Sequence, residues 1–297
     1  MRPILVTGGT GQLAAALARA GGERVHRVGR PEFDFDRPDT LGDVFDGTRP
    51  ALVVNAAAWT AVDAAEAAPE AAARANRDGP AALAWLCGKA GVPLIHVSTD
   101  YVFDGQKGAP YAEDDPTNPT GVYGATKLAG EEAVLELCPR AVVVRTSWVY
   151  AAEGRNFLRT MLAASRRADR LRVVADQRGC PTSADDLAAA LLGIADRALA
   201  GWSEEFRGLF HACGTGETTW HGFAEAIFAA AARHGVASPV VEPIATADWP
   251  THARRPADSR LDCGRLARVF GHGLPPWRES LGRTVDEIFA RGALPAS

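Results

Sequence analysis

Residues 4–14 read Ile4-Leu5-Val6-Thr7-Gly8-Gly9-Thr10-Gly11-Gln12-Leu13-Ala14, and the reading of this stretch decides the fold. Three apolar residues run straight into a glycine-rich turn, and an alanine- and leucine-rich helical stretch follows. Glycines at 8 and 11 permit a tight turn and let backbone N–H groups approach a pyrophosphate, while the helix N-terminus adds partial positive charge. Ala14 stands where a third glycine is common and is small enough to keep helix and strand close. A glycine-rich turn alone is a weak signal. Its place at the first βα junction makes it a dinucleotide-binding signature.

Outward from this turn, short apolar runs alternate with longer Ala- and Leu-rich stretches, the pattern of βαβ units building a parallel sheet. The strand candidates are residues 3–6, 24–28, 51–55, 93–97 and 141–145, with 209–212 returning later. The spacing predicts helices over 12–20, 69–89, 127–137, 156–168, 184–199 and 220–232. The first five strands are apolar with few charges, as expected when helices cover both sheet faces. The expected class is α/β, a Rossmann-type doubly wound parallel sheet with a smaller, interleaved C-terminal substrate domain. Residues 1–147 form the dinucleotide-binding domain, with returning segments roughly at 182–235. Residues 148–181 and 236–297 form the substrate-binding domain.

A formal net charge of -4 gives no reason to expect nucleic acid as a partner. The five cysteines (Cys87, Cys138, Cys180, Cys213, Cys263) are scattered, with no C-x-x-C pair and no metal-type spacing. Reduced thiols in a cytoplasmic protein are the expectation. No apolar run approaches the roughly 20 residues that span a bilayer, so no membrane partner is expected. Ile4-Leu5-Val6 enters the glycine turn directly, and no signal peptide is expected.

The catalytic candidates are Ser98-Thr99-Asp100, just past the end of a strand, and Tyr123-Gly124-Ala125-Thr126-Lys127. Tyr123 and Lys127 are four apart and share one face of a helix. A free phenol titrates near ~10, and a neighbouring ammonium is expected to move Tyr123 toward a catalytically useful value. The Thr99 hydroxyl would share the hydrogen bond to a reacting carbonyl oxygen. A Tyr-x-x-x-Lys by accident is the bland alternative. With four tyrosines and three lysines in 297 residues, roughly 0.04 chance occurrences are expected, which favours catalysis.

A third constellation, Arg145-Thr146-Ser147-Trp148-Val149-Tyr150 with Asn156-Phe157 beyond it, places an indole at the end of a strand. Trp148 offers a flat face for stacking on a ring, or equally a core aromatic at a domain junction. The second strand ends in Val28-Gly29-Arg30, where NAD-selective enzymes of this fold usually carry an acidic residue. Arg30 is suited instead to a 2′-phosphate, so NADPH is the expected cofactor and NADH the alternative.

Together these residues resemble the dTDP-4-dehydrorhamnose reductases, a branch of the extended short-chain dehydrogenases, over nearly the whole chain. The likeness includes residues 55–66 (NAAAWTAVDAAE), residues 76–80 (NRDGP), residues 96–105 (HVSTDYVFDG) and residues 110–113 (PYAE). Tyr123 through Glu131, residues 176–183 (DQRGCPTS), His211, Thr219-Trp220, Arg255-Pro256 and residues 259–262 (SRLD) continue it. Cys180 is a minor departure.

The resemblance implies that Tyr123 donates the proton, Lys127 holds the nicotinamide ribose and tunes Tyr123, and Thr99 stabilises the oxyanion. It implies Gly11, Gln12 and Leu13 at the pyrophosphate, Asp34 and Phe35 beside the adenine, and Ala56, Ala57 and Ala58 along the cofactor. Thr99, Asp100, Trp148 and Asn156 would meet the dTDP-sugar. The implied reaction is NAD(P)H-dependent reduction of the 4-keto group of dTDP-4-dehydro-6-deoxy-L-mannose to dTDP-L-rhamnose. Another dTDP-4-keto-deoxysugar, or a non-catalytic regulatory role, is the alternative. Ala16 stands where metal-dependent dimeric members carry a glutamate, so no Mg2+ is expected and a monomer or weak homodimer is.

Overall fold

The computed structural model of the chain describes residues 2–292. β1 (Ile4–Thr7) leads through the glycine turn into α1 (Gln12–Gly21), followed by β2 (Val25–Arg27), α2 (Asp39–Thr48) and β3 (Leu52–Asn55). Then come α3 (Val62–Ala67), α4 (Pro69–Ala73), α5 (Gly79–Ala90), β4 (Leu94–Thr99), α6 (Val122–Leu137) and β5 (Ala141–Thr146). Beyond these lie β6 (Val149–Tyr150), α7 (Phe157–Ala164), β7 (Arg170–Val174), β8 (Arg178–Gly179), β9 (Thr182–Ser183), α8 (Ala184–Ala200) and β10 (Gly208–His211). The last elements are β11 (Thr218–Thr219), α9 (Trp220–Ala232), β12 (Val240–Ile244), α10 (Gly264–Phe270) and α11 (Trp277–Ala290).

Six strands form one parallel sheet in the order β10-β5-β4-β3-β1-β2. Alternate strand residues point to opposite faces. Ile4, Val6, Leu52, Val54, Val142 and Val144 pack beneath α1, α8 and α10. Leu5, Val53, Leu94 and Val143 pack against α2, α5 and α6. Each buried aliphatic side chain contributes roughly 1.5–3 kcal/mol, so the apolar runs of β1, β3, β4 and β5 hold the sheet between its helix layers, while His96, Ser98 and Arg145 are buried polar exceptions toward the C-terminal edge. The chain passes from β1 to β2 on one side and returns to β3 on the other, so a switch point opens beyond Thr7 and Asn55.

A separate apolar cluster joins α7, α9 and α11 through Leu158, Leu162, Phe223, Ile227, Trp277 and Leu281. Beside it β7 and β12 pair in parallel although about 70 residues separate them.

The helix expected over 69–89 is interrupted. Pro80 has no N–H to return to the Asn76 carbonyl, and residues Arg74–Asp78 form a π turn in which the Gly79 N–H reaches Arg74 O. The helix expected from 127 begins at Val122, because the Glu66 carboxylate accepts the Val122 N–H at 2.8 Å. The helix expected over 156–168 spans Phe157–Ala164, with the Asn156 side chain capping it by accepting from Arg159 N. The sequence reading missed α2, α3, α10 and α11, and the β7–β12 pair.

Candidate active site

The glycine turn is shaped by close backbone approach. Gly8 and Gly9 have φ of +106° and +49°, and a Cβ on Gly8 would lie 2.9 Å from Ala56 O. A Cβ on Gly29 would lie 2.4 Å from Gly9 Cα, so the end of β2 can press on the turn only without a side chain. Gly11 N donates to Gly8 O at 2.8 Å, and α1 starts with neither a side-chain cap nor an acidic first turn. The free N–H groups of that first turn suit a pyrophosphate. Gln12 and Leu13 open the helix at this cradle, and Ala56 and Ala57 face it from the end of β3, with Ala58 next in the chain. These residues therefore fit a dinucleotide.

Farther along, Arg30 is exposed and its guanidinium is held by Asp34 (2.9 Å) and Asp36 (2.8 Å). The Phe35 ring covers Gly79, where a Cβ would come within 2.1 Å of it.

β4 delivers Thr99 and Asp100 to the C-terminal edge, and α6 delivers Tyr123 and Lys127; all four are buried. Thr99 Oγ1 donates to Asp100 Oδ1 at 3.1 Å and accepts from Tyr101 N at 3.2 Å. Burial pushes the Tyr123 phenol well above its ordinary range, the Thr99 hydroxyl acts downward, and the charges of Asp100 and Tyr101 act upward. The lowering expected from Lys127 is not found: desolvation dominates, and the Lys127 ammonium is not among the groups that act on the phenol. A neutral phenol remains, the form that can donate a proton. Burial raises Asp100 to about 6, with the Ser259 and Thr99 hydroxyls pulling it back. Ser98 Oγ, Asp100 Oδ2 and Thr146 Oγ1 are buried without a partner among the described residues, leaving polar capacity at this edge.

Lys127 Nζ donates to Val97 O at 2.6 Å. Burial lowers it to about 8, with Glu131 acting upward. Glu131 itself is spent on Arg145, whose guanidinium meets it through Nε (3.0 Å) and Nη2 (2.7 Å).

Trp148 adopts φ +47° and stacks on Trp220 at 3.6 Å and 8°. A Cβ on Gly179 would lie 2.4 Å from its Cε2, so the indole is gripped by protein on more than one side. Asn156 Nδ2 donates to Gln12 Oε1 (2.7 Å) and Ala151 O (2.9 Å), which ties the loop before α7 to the glycine turn.

Other residues of the family-like segments make contacts that their spacing does not disclose. Arg255 donates to Tyr101 Oη at 2.8 Å and to Asp63 at 2.6 Å, and the Tyr101 ring stands edge-on to Tyr123 at 5.4 Å. Trp220 belongs to the family-like Thr219-Trp220 pair, and nothing in its spacing from Trp148 reveals their stacking. Ala16 is fully buried in the core. Asp185 pairs with Arg19, Asp186 with Arg283 and Glu287 with Arg291. Among the described residues no group of three or more His, Cys, Asp or Glu side chains is placed to hold a metal ion, and no helix is long and apolar enough to cross a membrane.

Residues 1–289 match the family model of the RmlD substrate binding domain. A dTDP-4-dehydrorhamnose reductase of Sinorhizobium fredii is 46% identical over 291 residues, covering 97% of this chain and 98% of that protein. The crystal structure of a dTDP-4-dehydrorhamnose reductase from Clostridium acetobutylicum superimposes with a TM-score of 0.90 at 35% identity, over 97% of this chain and 99% of that one. One from Bacillus anthracis, in complex with NADP, gives a TM-score of 0.87 at 30% identity, over 96% and 99%.

Proposed function

The chain belongs to the RmlD substrate binding domain family, and on that premise we propose that it works as an NADPH-dependent reductase, with NADH the alternative. It reduces the 4-keto group of dTDP-4-dehydro-6-deoxy-L-mannose to give dTDP-L-rhamnose. The observation that carries this reading is the buried Thr99–Asp100–Tyr123 edge at the end of β4, separated by β3 from the glycine cradle at the end of β1 that is fitted to a dinucleotide.

When bound, the nicotinamide cofactor supplies the hydride. Gly8, Gly11, Gln12 and Leu13 would hold the pyrophosphate, Arg30 the 2′-phosphate, Asp34 and Phe35 the adenine side, and Ala56, Ala57 and Ala58 the cofactor's flank. Tyr123, neutral at rest, gives its phenolic proton to the oxygen of the C4 carbonyl as that oxygen gains charge. Thr99 turns its single hydroxyl proton from Asp100 Oδ1 to the same oxygen and donates a second hydrogen bond to it. Lys127 supplies a nearby positive charge that steadies the phenolate left behind and holds the ribose. Asp100, Trp148 and Asn156 line the sugar side, Trp148 with its orientation set by Trp220.

Residues 1–147 with 182–235 serve the cofactor, and 148–181 with 236–297 serve the substrate. The protein acts in the cytoplasm as a monomer or weak homodimer, without Mg2+, nucleic acid or membrane. Following NADPH oxidation with dTDP-4-keto-6-deoxy sugars, and the product by NMR, tests the reading. Turnover confined to a different dTDP-4-keto-deoxysugar would refute the assigned substrate, and no turnover on any would refute the reductase.

A further inference from the structure

Beneath Lys127 lies a row of buried polar side chains that the catalytic scheme does not use. Thr7, Asn55 and His96 sit side by side in register on β1, β3 and β4, and none is more than 1% exposed. Thr7 Oγ1 and Asn55 Oδ1 are 2.6 Å apart, Asn55 Nδ2 and His96 Nδ1 are 2.9 Å apart, and His96 Nε2 stands 3.5 Å from Lys127 Nζ.

The direction of this row follows from one backbone group. Ala57 N–H can only donate, and it lies 3.2 Å from both Asn55 Oδ1 and Thr7 Oγ1. The Asn55 carbonyl oxygen must face it, so the amide nitrogen donates to His96 Nδ1. Burial and the Lys127 ammonium keep His96 neutral. A neutral imidazole that accepts at Nδ1 carries its proton on Nε2. That N–H is directed at Lys127 Nζ, and the 3.5 Å separation is that of a contact between two donors rather than of a good hydrogen bond.

We propose that His96 is a positioning residue for Lys127: held as the Nε2–H tautomer by Asn55 and Thr7, it denies the ammonium an acceptor on the inner side. The N–H groups not taken by Val97 O are thereby turned toward the cleft, where the reductase reading places the ribose and Tyr123. The row also ties this orientation to the cofactor cradle, since Ala57 follows directly on the Ala56 carbonyl that crowds Gly8. Other charges do not compete for the same face. Glu131 is paired with Arg145 of β5, and Asp100 and Tyr101 lie on the Tyr123 side. Across α6, Arg74, Arg77 and Asp78 of the π turn pair at the surface.

The catalytic consequence rests on the reductase reading; the tautomer does not. Nitrogen-15 NMR of the full-length protein, with His96 identified by its through-space contacts to Lys127, reads the tautomer directly. A protonated Nε2 and a bare Nδ1 between pH 6 and 8 are expected, and an Nδ1–H tautomer or an imidazolium overturns the proposal. In kinetics, His96→Gln presents a carbonyl oxygen to the ammonium. It is expected to lower kcat about tenfold and to move the basic limb of the pH–rate profile upward, since an acceptor favours the charged amine. A fall in kcat that merely tracks lost folded protein, with the limb unmoved, also overturns it. Wild-type protein that reduces no sugar nucleotide would sink the reductase reading and leave the NMR result standing.

Discussion

Replacing Lys127 with methionine should stabilise the protein while stopping turnover. Methionine keeps the length and apolar stem of lysine and removes the buried ammonium. Burial brings that ammonium from its ordinary 10.5 down to about 8 in the folded protein. At about 1.4 kcal/mol per pH unit, the depression represents roughly 3 kcal/mol held against the folded state. Removing the group also removes the 2.6 Å hydrogen bond to Val97 O, a net loss of roughly 1–2 kcal/mol. A gain of about 1–2 kcal/mol is therefore expected at neutral pH.

The pH dependence gives the sharper check. The folded value lies below the unfolded one, so the unfolded chain binds this proton more readily between about 8 and 10.5. The penalty is present in full below about 8 and fades as pH rises to 10.5. Urea unfolding of the cofactor-free protein should show Lys127→Met more stable than wild type at pH 7 and no more stable at pH 10. A variant less stable at pH 7, or a difference equal at both pH values, would refute the reasoning.

Tyr123→Phe removes the proposed proton donor and should lower kcat by roughly 10²–10⁴-fold, with the NADPH dissociation constant nearly unchanged; a variant retaining more than about a tenth of kcat contradicts the assignment. In the proposed reading Arg30 exchanges Asp36 for a 2′-phosphate, and an exposed ion pair of this kind costs only about 0–1 kcal/mol to break. Arg30→Ala should therefore erase a preference for NADPH over NADH in kcat/KM, and equal values for both cofactors in wild type would end that idea. Rates in EDTA and in excess magnesium should agree; activity lost in EDTA and restored by magnesium would show a metal requirement.

The Rossmann-type sheet was legible because its cause is local. Apolar runs such as Ile4-Leu5-Val6 and Ala141-Val142-Val143-Val144 are buried on both faces, and the glycines of residues 8–11 admit a backbone shape that side chains forbid. Boundaries were less legible where a distant group sets them. The start of α6 depends on Glu66 of α3, and the π turn before α5 reflects Pro80 within an otherwise helical pattern.

From the sequence alone come the glycine turn, the Thr99 edge and the Tyr123–Lys127 pair, since each is contained within one strand end or one turn of helix. Only the tertiary structure decided what surrounds them. Thr7, Asn55 and His96 are adjacent because β1, β3 and β4 are neighbours in the sheet, although 48 residues separate the first two and 41 the last two. Arg145 meets Glu131, Trp148 meets Trp220, and Arg255 reaches Tyr101 through the same long-range closure. Desolvation of the Tyr123 phenol is likewise a property of the assembled fold, because it depends on how much water the packed elements exclude rather than on which residue stands four positions away.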